Sequence, residues 1–438
     1  MTTDVVGCEL ERGREPEHGS PARILPGPVV VARTGNADQT GRAAEVAAET
    51  LTRHAKRWGP RPRGGEWLLE SASAARLTGL GGGHFPAADK WRAALTRTQP
   101  VTLVANAAEG ERLSAKDATL LRLRPHLVLD GLATLAETLH AGQTVVWIHE
   151  DDTVSRRAVA EASRDRRLAG FDDPPLSVRT TAAGYLAGES SAIKHALSGG
   201  PVLPTFQVPG NSARSGQQVV VHNVETLAQV ARLAPSAATS PARRGPGTRL
   251  LTILTPLDRR VLEHPLDSSL GEAVAAVSGA SAPSPAVVLL GGYGGTWARW
   301  EDVAGLSVDE AAVRRHGLTL GAGIVAPLAD GSCGVAITAA IAGYLARVSA
   351  GQCGPCLFGL PALAGRLDRL ARGRARRSEL ARLGTDLDAV DGRGACHHPD
   401  GAVRLVRSAL AVFGDDYAAH ARGRPCGGSA AYIPLPAT

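Results

Sequence analysis

Hydrophobic and polar positions follow two different patterns in the first half of the chain. The apolar runs VTLVAN (101–106) and TVVWIHE (144–150) are short and continuous, whereas PHLVLDGLATLAETLHA (125–141) carries apolar residues at helical spacing. A strand, a helix and a second strand in this order indicate a βαβ unit in a mainly parallel sheet. The pattern therefore predicts an α/β domain over residues 66–234.

A change of composition marks the end of that domain. The stretch PSAATSPARRGPGT (235–248) is rich in Pro, Ala, Arg and Gly, which is typical of a linker. Beyond it, the runs RLLTILTP (249–256), SLGEAVAAV (269–277) and AVVLLGG (286–292) predict a compact mixed β domain over residues 248–330.

The two ends of the chain differ in pattern. Residues 334–425 are predicted to be helical, and Leu363, Leu367 and Leu370 fall at the spacing that places them on one helix face. Residues 1–65 are rich in Gly, Pro and Arg around a single helical stretch. We expect them to form a poorly defined N-terminal extension.

Composition narrows the range of partners. The chain has 438 residues, of which 44% are hydrophobic and 21% charged, and its net charge of +6 comes almost wholly from arginine. These arginines are scattered and no aromatic residues interleave with them, so the sequence does not favour a nucleic-acid partner.

Neither a membrane span nor a secretory signal is predicted. The most apolar stretch, GVAITAAIAGYLARV (334–348), is too short to cross a bilayer and contains Arg347, so it predicts a buried helix. The N-terminal sequence has no charged start followed by an apolar stretch. We therefore expect a cytoplasmic protein, in which close cysteine pairs indicate metal or redox chemistry rather than disulfides.

Three cysteines are candidates for such chemistry. Cys353 and Cys356 form a C-x-x-C pair in SAGQCGPCLFG, and Cys396 follows in GACHHPDG between two helical segments. By spacing alone, structural zinc, a redox dithiol, an iron–sulfur site and inert buried cysteines remain open. The adjacent His397 and His398 are candidate fourth ligands.

A glycine-rich loop, RLTGLGGGHFPAADKW (76–91), is the second candidate. Its glycines let the backbone approach a phosphate or a ring closely, and Lys90 offers positive charge. The dinucleotide pattern G-x-G-x-x-G fails because His84 occupies the position of the third glycine, so an ordinary loop is the alternative.

A third candidate, ANAAEGERLSAKD (105–117), directly follows the first predicted strand. It places Asn106, Glu109 and Glu111 where ligands bind in α/β folds. The alternative is a solvated loop that leads into a helix.

The order of these motifs along the chain resembles that of a known protein family. A series of motifs extends along about three quarters of the chain. In chain order they are the glycine-rich FP-x-x-x-KW loop, N-A-x-E-G-E, KD with a downstream PH, GYLAGES, VHNVETLA, GQCGPC and a late cysteine. This series resembles the FMN- and NADH-binding iron–sulfur subunit of respiratory complex I, known as its F subunit. The resemblance implies an α/β flavin domain, a small ubiquitin-like β domain of the soluble-ligand-binding (SLBB) type and a helical bundle with a [4Fe-4S] cluster.

The resemblance also assigns roles to individual residues. It implies that Glu109 and Glu111 belong to the loop that holds flavin and nicotinamide, where they are the catalytic candidates, and that Phe206 corresponds to an adenine-stacking aromatic in a loop of different length. The implied cofactor-binding residues are Gly79, Gly81, Gly82, Phe85, Lys90, Asn106, Gly188, Glu189, Asn223 and Thr226. The implied metal ligands are Cys353, Cys356 and Cys396.

Several positions depart from the family pattern. Most of these changes remove polar groups that would bind flavin or nucleotide, each worth about 1 to 3 kcal/mol when its partner is buried. The departures are Leu80 for arginine, His84 for glycine, Ala108 for aspartate, Ser190 for glutamate, His222 for asparagine and Ala350 for the first cluster cysteine.

The loss at Ala350 leaves three outcomes for the cluster. It persists as [4Fe-4S] with a non-cysteine ligand, it is [3Fe-4S], or it is absent. The candidate fourth ligands are Ser349, His397, Cys333 and Cys426. We expect a cluster, because three of the four family cysteines are retained.

Two functions follow from the resemblance. The first is an electron-transfer flavo-iron–sulfur protein that uses FMN, NADH and the cluster to pass electrons to a ferredoxin or to other oxidoreductase subunits. Such partners would hold it at the inner face of a membrane without a span of its own. The second is a scaffold subunit that has lost this chemistry, and a third reading is a structural zinc held by the three cysteines with His397.

Overall fold

The computed structural model describes residues 9–10, 23–33, 48–206, 218–234, 247–256, 258–375 and 377–428. Along these residues an α/β unit is followed by a mixed sheet with short helices and then by a helical unit. Most of the predicted linker at 235–248 lies outside the described residues.

The N-terminal segment contributes to the mixed sheet. Its elements are β1 (Glu9–Leu10), β2 (Val29–Arg33) and α1 (Leu51–Trp58). Strand β2 pairs antiparallel with the strand Asp258–Pro265, and the Trp58 side chain is fully buried. These elements lie within the predicted N-terminal extension over 1–65, of which the structure describes residues 9–10, 23–33 and 48–65. The strand partner lies far along the chain, and a local sequence pattern does not reveal such pairing.

The α/β unit alternates strands and helices. In chain order they are α2 (Trp67–Ala74), α3 (Ala87–Leu95), β3 (Val101–Asn106), α4 (Lys116–Leu123), α5 (Pro125–Thr138), β4 (Ala141–His149), α6 (Thr153–Leu168), β5 (Leu176–Thr181), α7 (Ser190–Leu197), β6 (Gln218–Asn223) and α8 (Val224–Arg232). As far as the structure describes them, the strands form one parallel sheet in the order β5-β4-β3-β6.

Two elements dominate the core of this unit. Strand β3 is buried because it lies between two parallel neighbours, β4 and β6. Helix α5 begins at Pro125, which suits the first helical turn, and nearly all of its side chains are buried. Gly131 of α5 faces the backbone of α8 so closely that a Cβ atom there would overlap the carbonyl oxygen of Leu227.

The mixed sheet forms the second unit. Its elements are β7 (Thr248–Leu254), β8 (Asp258–Pro265), α9 (Leu270–Ser278), β9 (Val287–Leu290), β10 (Thr296–Arg299), α10 (Trp300–Val303), α11 (Glu310–Arg314) and β11 (Ile324–Pro327). The strand order is β1-β2-β8-β7-β11-β9-β10 among the described residues, and only the β7–β11 pair is parallel.

Helices complete the chain. They are α12 (Gly334–Arg347), a π-helical turn (Pro355–Gly359), α13 (Leu360–Ala371), α14 (Arg377–Val390), α15 (His398–Val412) and α16 (Gly414–His420). The predicted face of α13 is observed, because Leu363, Leu367 and Leu370 are all buried in the core of this unit. The apolar stretch 334–348 forms the packed helix α12. Across the described residues, none of the helices has both the length and the apolar character that a bilayer span requires.

Candidate functional site

The three units meet around a cavity of about 320 Å³. It opens beyond the carboxyl ends of β3 and β6, the edge at which parallel α/β sheets bind ligands. Its walls come from the glycine-rich loop, the loop after β3, the loop before α7, two glycine-rich turns of the mixed sheet and the start of α15. The lining residues include Gly81, Gly82, Asn106, Glu109, Glu111, Gly188, Glu189, Asn223, Gly291, Gly321, His397 and His398.

The glycine-rich loop presents backbone N–H groups near the cavity. The loop is closed by two hydrogen bonds: the Gly79 N–H donates to the Phe85 carbonyl oxygen at 3.0 Å, and the His84 N–H donates to the Gly79 carbonyl oxygen at 3.1 Å. The Leu80 N–H donates to Thr226 Oγ1 at 2.9 Å. Gly82 has φ of 103°, which a residue with a side chain rarely adopts. The N–H groups of residues 81 to 83 donate to no acceptor within the described residues. Three consecutive free donors suit an anionic ligand group such as a phosphate.

Glu111 is a half-buried acceptor on the opposite wall. Its Oε2 accepts hydrogen bonds from the Tyr293 N–H at 2.9 Å and from the Tyr185 hydroxyl at 3.3 Å, and its Oε1 accepts from the Leu113 N–H at 3.2 Å. Burial raises the pKa of Glu111 to about 7, although these donors oppose the shift.

Glu109 anchors the start of α4. Its carboxylate accepts hydrogen bonds from the N–H groups of Asp117 and Ala118, both at 3.3 Å, and from the Ser114 hydroxyl. Burial raises the pKa of Glu109 to about 7, and the neighbouring Asp117 carboxylate raises it further. Two carboxyl groups with a pKa near neutrality therefore share one cavity.

Asn106 and Gly188 join two cavity walls. The Asn106 side chain donates to the Gly188 carbonyl oxygen at 2.8 Å and accepts from the Ala108 N–H at 3.1 Å. A Cβ atom on Gly188 would overlap the Ala108 carbonyl oxygen, so only glycine permits this approach. Glu189 caps the N-terminus of α7, where it accepts from the N–H groups of Ser191 and Ala192.

Asn223 belongs to a buried charge network beneath the cavity. Lys116 Nζ lies 2.7 Å from Asp117, 2.9 Å from Glu225 and 3.0 Å from Asn223 Oδ1. The Asn223 amide donates to Asp117 at 2.6 Å. Burial opposes the charge of Lys116, but the surrounding carboxylates raise its pKa, so it remains a cation.

Other candidates lie away from the cavity. The Lys90 ammonium donates to the Val221 carbonyl oxygen, and burial lowers the pKa of Lys90 to about 8. Phe85 and Phe206 are exposed to solvent, by 59% and 69%. Thr226 is buried beneath the glycine-rich loop, where its side chain accepts from that loop rather than facing the cavity.

Two of the departures from the family pattern have structural roles. His222 accepts a hydrogen bond from Trp91 Nε1 at 2.8 Å, and burial lowers its pKa well below the usual range, so the ring is neutral. His84 has φ of 48°, in the region that favours glycine. Its Nε2 lies 3.1 Å from the Gly321 carbonyl oxygen and 3.3 Å from Glu310, which docks the loop onto the mixed sheet. Burial lowers the pKa of His84 to about 4 despite Glu310.

Tyr185 is a functional candidate that the sequence pattern did not single out. It lies in the GYLAGES stretch, lines the cavity and donates to Glu111. The local sequence could have flagged it, because a tyrosine next to a glycine-rich turn often combines an apolar face with a hydrogen-bonding hydroxyl. Its partner lies 74 positions earlier in the chain.

The C-x-x-C pair meets the loop that carries Cys396. Burial by itself would raise the pKa of the Cys353 thiol. Hydrogen bonds from the backbone N–H groups of Ala395 and Cys356 outweigh that effect, so the pKa of Cys353 is lowered. Burial raises the pKa of Cys356 to about 11 and that of Cys396 as well, and Glu189 and Cys353 add to the rise at Cys396. The three thiols and the cavity wall are therefore close neighbours.

The candidate fourth ligands differ in position. The Ser349 hydroxyl contacts the Cys356 thiol, whereas the His397 side chain is fully exposed and pairs with Asp400 at 3.2 Å. Cys333 and Cys426 lie together around His420. Among the described residues, the three cluster cysteines do not form a group tight enough for a single ion.

Comparisons with known proteins agree with this layout. Residues 72–232 match a family model described as the Nuo51 FMN-binding domain, and residues 336–420 match the NADH-ubiquinone oxidoreductase-F iron-sulfur binding region. The chain is 28% identical to the F 2 subunit of NADH-quinone oxidoreductase in Rhizobium meliloti (strain 1021), over 82% of this chain and 90% of the relative. It is 25% identical to the F subunit of NADH-quinone oxidoreductase in Streptomyces coelicolor, over 82% of this chain and 84% of the relative.

A solved structure has the same fold. A chain of an NAD+-reducing [NiFe]-hydrogenase in the H2-reduced state superposes with a TM-score of 0.70 at 25% identity. The match covers 83% of this chain but only 63% of the hydrogenase chain. This chain thus spans less than two thirds of that structural relative.

Proposed function

Because the chain is a divergent member of the family formed by the F subunits of NADH-quinone oxidoreductase, we propose that it is an electron-transfer flavo-iron–sulfur protein. The observation that carries this proposal is the junction of the cavity with the cysteines. Cys396 is followed directly by His397 and His398, which line the cavity. A ligand in the cavity and a cluster on the three cysteines would therefore be bound by residues that are adjacent in the sequence.

The cavity has features that fit FMN. The free N–H groups of residues 81 to 83 suit a phosphate, and Arg404 at the cavity wall adds positive charge. Glycines 81 and 82 leave the loop surface flat enough for close approach of a ring. When bound, FMN accepts a hydride from a nicotinamide and releases the electrons one at a time. The departures at Leu80, Ala108, Ser190 and His222 mean that fewer side chains than in the family would hold it.

Glu111 and Tyr185 are the residues that we assign to proton handling. The carboxyl group of Glu111 has a pKa of about 7, so it gains or loses a proton under physiological conditions, while its Oε2 accepts two hydrogen bonds. The Tyr185 hydroxyl holds that oxygen in place. Glu109 fixes the loop by capping α4, and Asn106 fixes the facing loop through Gly188.

The cysteines would hold an iron–sulfur cluster, which supplies a one-electron relay. Cys353, Cys356 and Cys396 provide three thiolates. We assign the fourth position, where a fourth ligand is present, to Ser349, because its hydroxyl contacts the Cys356 thiol.

The electron donor and the electron acceptor are inferred from membership of this family. We propose NADH as the donor and a ferredoxin or another subunit of an oxidoreductase complex as the acceptor. The mixed sheet would act as the ubiquitin-like SLBB domain, since its turns at Gly291 and Gly321 close the cavity. The helical unit would be the bundle that carries the cluster.

The scaffold alternative is less well supported. Glu109 and Glu111 are half-buried with a raised pKa, which means that ionising them at neutral pH destabilises the fold. A subunit without chemistry gains nothing from retaining such groups, whereas an active site depends on them.

Anaerobic purification followed by visible and low-temperature EPR spectroscopy tests the proposal. Flavin, iron and sulfide are quantified on the same sample, and NADH-dependent reduction of an artificial acceptor is measured. We expect flavin absorbance, a cluster signal and acceptor reduction. A colourless protein that stays inactive after addition of FMN, iron and sulfide would support the scaffold reading and reject ours.

A further inference from the structure

A second group of metal-ligating side chains lies in the helical unit. Cys333 directly precedes α12, His420 ends α16, and Cys426 lies in the segment that follows α16. One ligand atom from each lies within 4.8 Å of the other two. Cys333 and His420 are buried, whereas Cys426 is exposed. We propose that these three residues bind one zinc ion, with water in the fourth position, independently of the flavin and the iron–sulfur cluster.

The distances match those around a tetrahedral zinc ion. Zinc binds sulfur at about 2.3 Å and histidine nitrogen at about 2.0 to 2.1 Å, so tetrahedral angles place the two ligand atoms about 3.6 Å apart. His420 Nε2 lies 3.7 Å from Cys333 Sγ and 3.3 Å from Cys426 Sγ. Both sulfur–nitrogen distances therefore suit a shared ion, and the two sulfurs lie within 4.8 Å of each other.

His420 is oriented for metal binding by its other nitrogen. Nδ1 lies 3.1 Å from the Leu370 carbonyl oxygen and 3.0 Å from that of Ala371. Because a carbonyl oxygen only accepts, we assign the proton to Nδ1, which leaves the Nε2 lone pair directed at the two sulfurs. A carbonyl behind the distal nitrogen is the usual support of a metal-binding histidine. The Cys426 N–H donates a hydrogen bond to His420 Nε2 at 3.1 Å, and a bound zinc ion would take the place of that hydrogen bond.

The Cys333 sulfur lies at the N-terminus of α12. It accepts the Ala336 N–H at 3.3 Å, in a position where the free N–H groups of the helix favour negative charge. Zinc binding would release the protons of both thiols to solvent. The exposed position of Cys426 leaves room for the water ligand.

The backbone around this site is also closely packed. A Cβ atom on Gly428 would lie 2.7 Å from the Gly331 carbonyl oxygen and 2.9 Å from the Cys333 nitrogen. The segment after α16 therefore passes directly over the start of α12. Zinc would fasten that segment to the helical unit. It would also remove Cys333 and Cys426 from the candidates for the fourth cluster ligand.

Metal analysis of full-length variants tests the proposal. After anaerobic purification and dialysis against a weak chelator, we expect about one zinc per wild-type chain. Cys426→Ser and His420→Asn should each lower zinc occupancy at least tenfold. Cys426→Ser is the safer variant, because Cys426 is exposed and the fold does not depend on its burial. His316→Asn changes an exposed histidine on the mixed sheet and serves as the matched control.

A triple variant separates this site from the cluster. Replacement of Cys353, Cys356 and Cys396 by serine should remove iron and leave zinc unchanged. In that variant Co²⁺ should produce near-ultraviolet thiolate charge-transfer bands and visible bands of tetrahedral intensity, both of which disappear with the additional Cys426→Ser change. Absence of zinc from the wild type, loss of zinc in the triple variant, copper in place of zinc, or a Cys333–Cys426 disulfide in non-reducing peptide maps would each overturn the assignment.

Discussion

At the scale of single residues, Glu109 and Glu111 combine burial with several hydrogen bonds. Their donors are backbone N–H groups together with the Ser114 or the Tyr185 hydroxyl. These donors do not fully replace the lost hydration, because the pKa of both carboxyl groups is about 7. Between pH 4.5 and pH 7 these two carboxyl groups therefore hold more protons in the folded protein than in the unfolded chain, where they ionise earlier.

The first prediction concerns stability and pH. A folded-state pKa that is raised above 4.5 means that the contribution of Glu109 and Glu111 to the free energy of unfolding decreases as the pH rises from about 4.5 to about 7, opposite in sign to the contribution of buried histidines such as His84 and His222. Glu111→Gln should reduce this decrease roughly by half, because Glu109 retains its own contribution. Urea titrations across that pH range measure the effect. Glu301→Gln, at an exposed position, is the matched control, and equal pH slopes in wild type and Glu111→Gln would contradict the prediction.

A second prediction concerns the cluster. Ala350→Cys restores the C-x-x-C-x-x-C spacing ahead of Cys353 and Cys356, so a fourth thiolate becomes available. We expect the ratio of iron to protein to rise toward four and the EPR signal of the reduced protein to become that of a [4Fe-4S] cluster. Ala346→Cys, one turn earlier in α12, is the control. An identical iron content and spectrum in Ala350→Cys and wild type would contradict the expectation.

Several residues predicted from motif order lie together in the cavity, but motif order does not predict the direction in which a side chain points. Asn106, Glu109 and Glu111 follow β3 directly, so the rule that ligands bind at strand ends is enough to group them. Lys90 could not be placed in this way. Its side chain turns to a carbonyl of β6, a partner from a distant part of the sequence.

At the scale of elements, the α5–α8 contact depends on a residue without a side chain. Gly131 lets the two helices approach until backbone touches backbone. Glycine costs about 1 kcal/mol relative to alanine within a helix, so its presence is explained by packing rather than by helix propensity.

The third prediction follows from that contact. Gly131→Ala should destabilise the protein by about 3 kcal/mol or more, since the new methyl group overlaps the Leu227 carbonyl oxygen and the helices must move apart. Gly384→Ala in α14 is the matched control, because no atom lies within 4 Å of a Cβ atom there. That control should stabilise by about 0.5 to 1 kcal/mol. Denaturant titrations measure the change in the free energy of unfolding for both variants. Equal changes for Gly131→Ala and Gly384→Ala would show that the close approach of α5 and α8 is unimportant.

Element prediction worked where the pattern is local. VTLVAN forms β3, and the helical run beginning at Pro125 forms α5, because length and periodicity decide between strand and helix there. Strand β2 was not predicted. Its pairing with β8 is set by tertiary contact, and the short run VVVAR lies in a segment dominated by Gly, Pro and Arg.

At the scale of the whole molecule, the cavity belongs to no single unit. The glycine-rich loop, the turns of the mixed sheet and the start of α15 each contribute one wall. A ligand that fills this space contacts all three units and stabilises their arrangement together.

The fourth prediction uses this linkage. FMN at a hundredfold excess over its dissociation constant should stabilise the flavin-free protein by about 2.7 kcal/mol, which raises the melting temperature. Riboflavin should have a smaller effect, because it lacks the phosphate that the free N–H groups of residues 81 to 83 would bind. Gly82→Ala should abolish the FMN effect, since φ of 103° does not tolerate a side chain.

Gly83→Ala is the control for that experiment, because no atom lies within 4 Å of a Cβ atom at this position. Differential scanning calorimetry measures the wild type, Gly82→Ala and Gly83→Ala, each with FMN and with riboflavin. A riboflavin effect equal to that of FMN would place the phosphate away from the glycine-rich loop.

Strand β2 has a consequence for the order in which the chain folds. The α/β unit is, in chain order, an insertion between two strands of one sheet, since β2 precedes it and β8, its partner, follows it. During synthesis β2 therefore leaves the ribosome long before β8 is made. The edge of β2 that pairs with β8 stays unpaired while the α/β unit forms. A truncated polypeptide that ends at residue 247 would keep that edge exposed, where it can pair with another chain. Fragments for expression should keep residues 23–33 together with the mixed sheet or omit both.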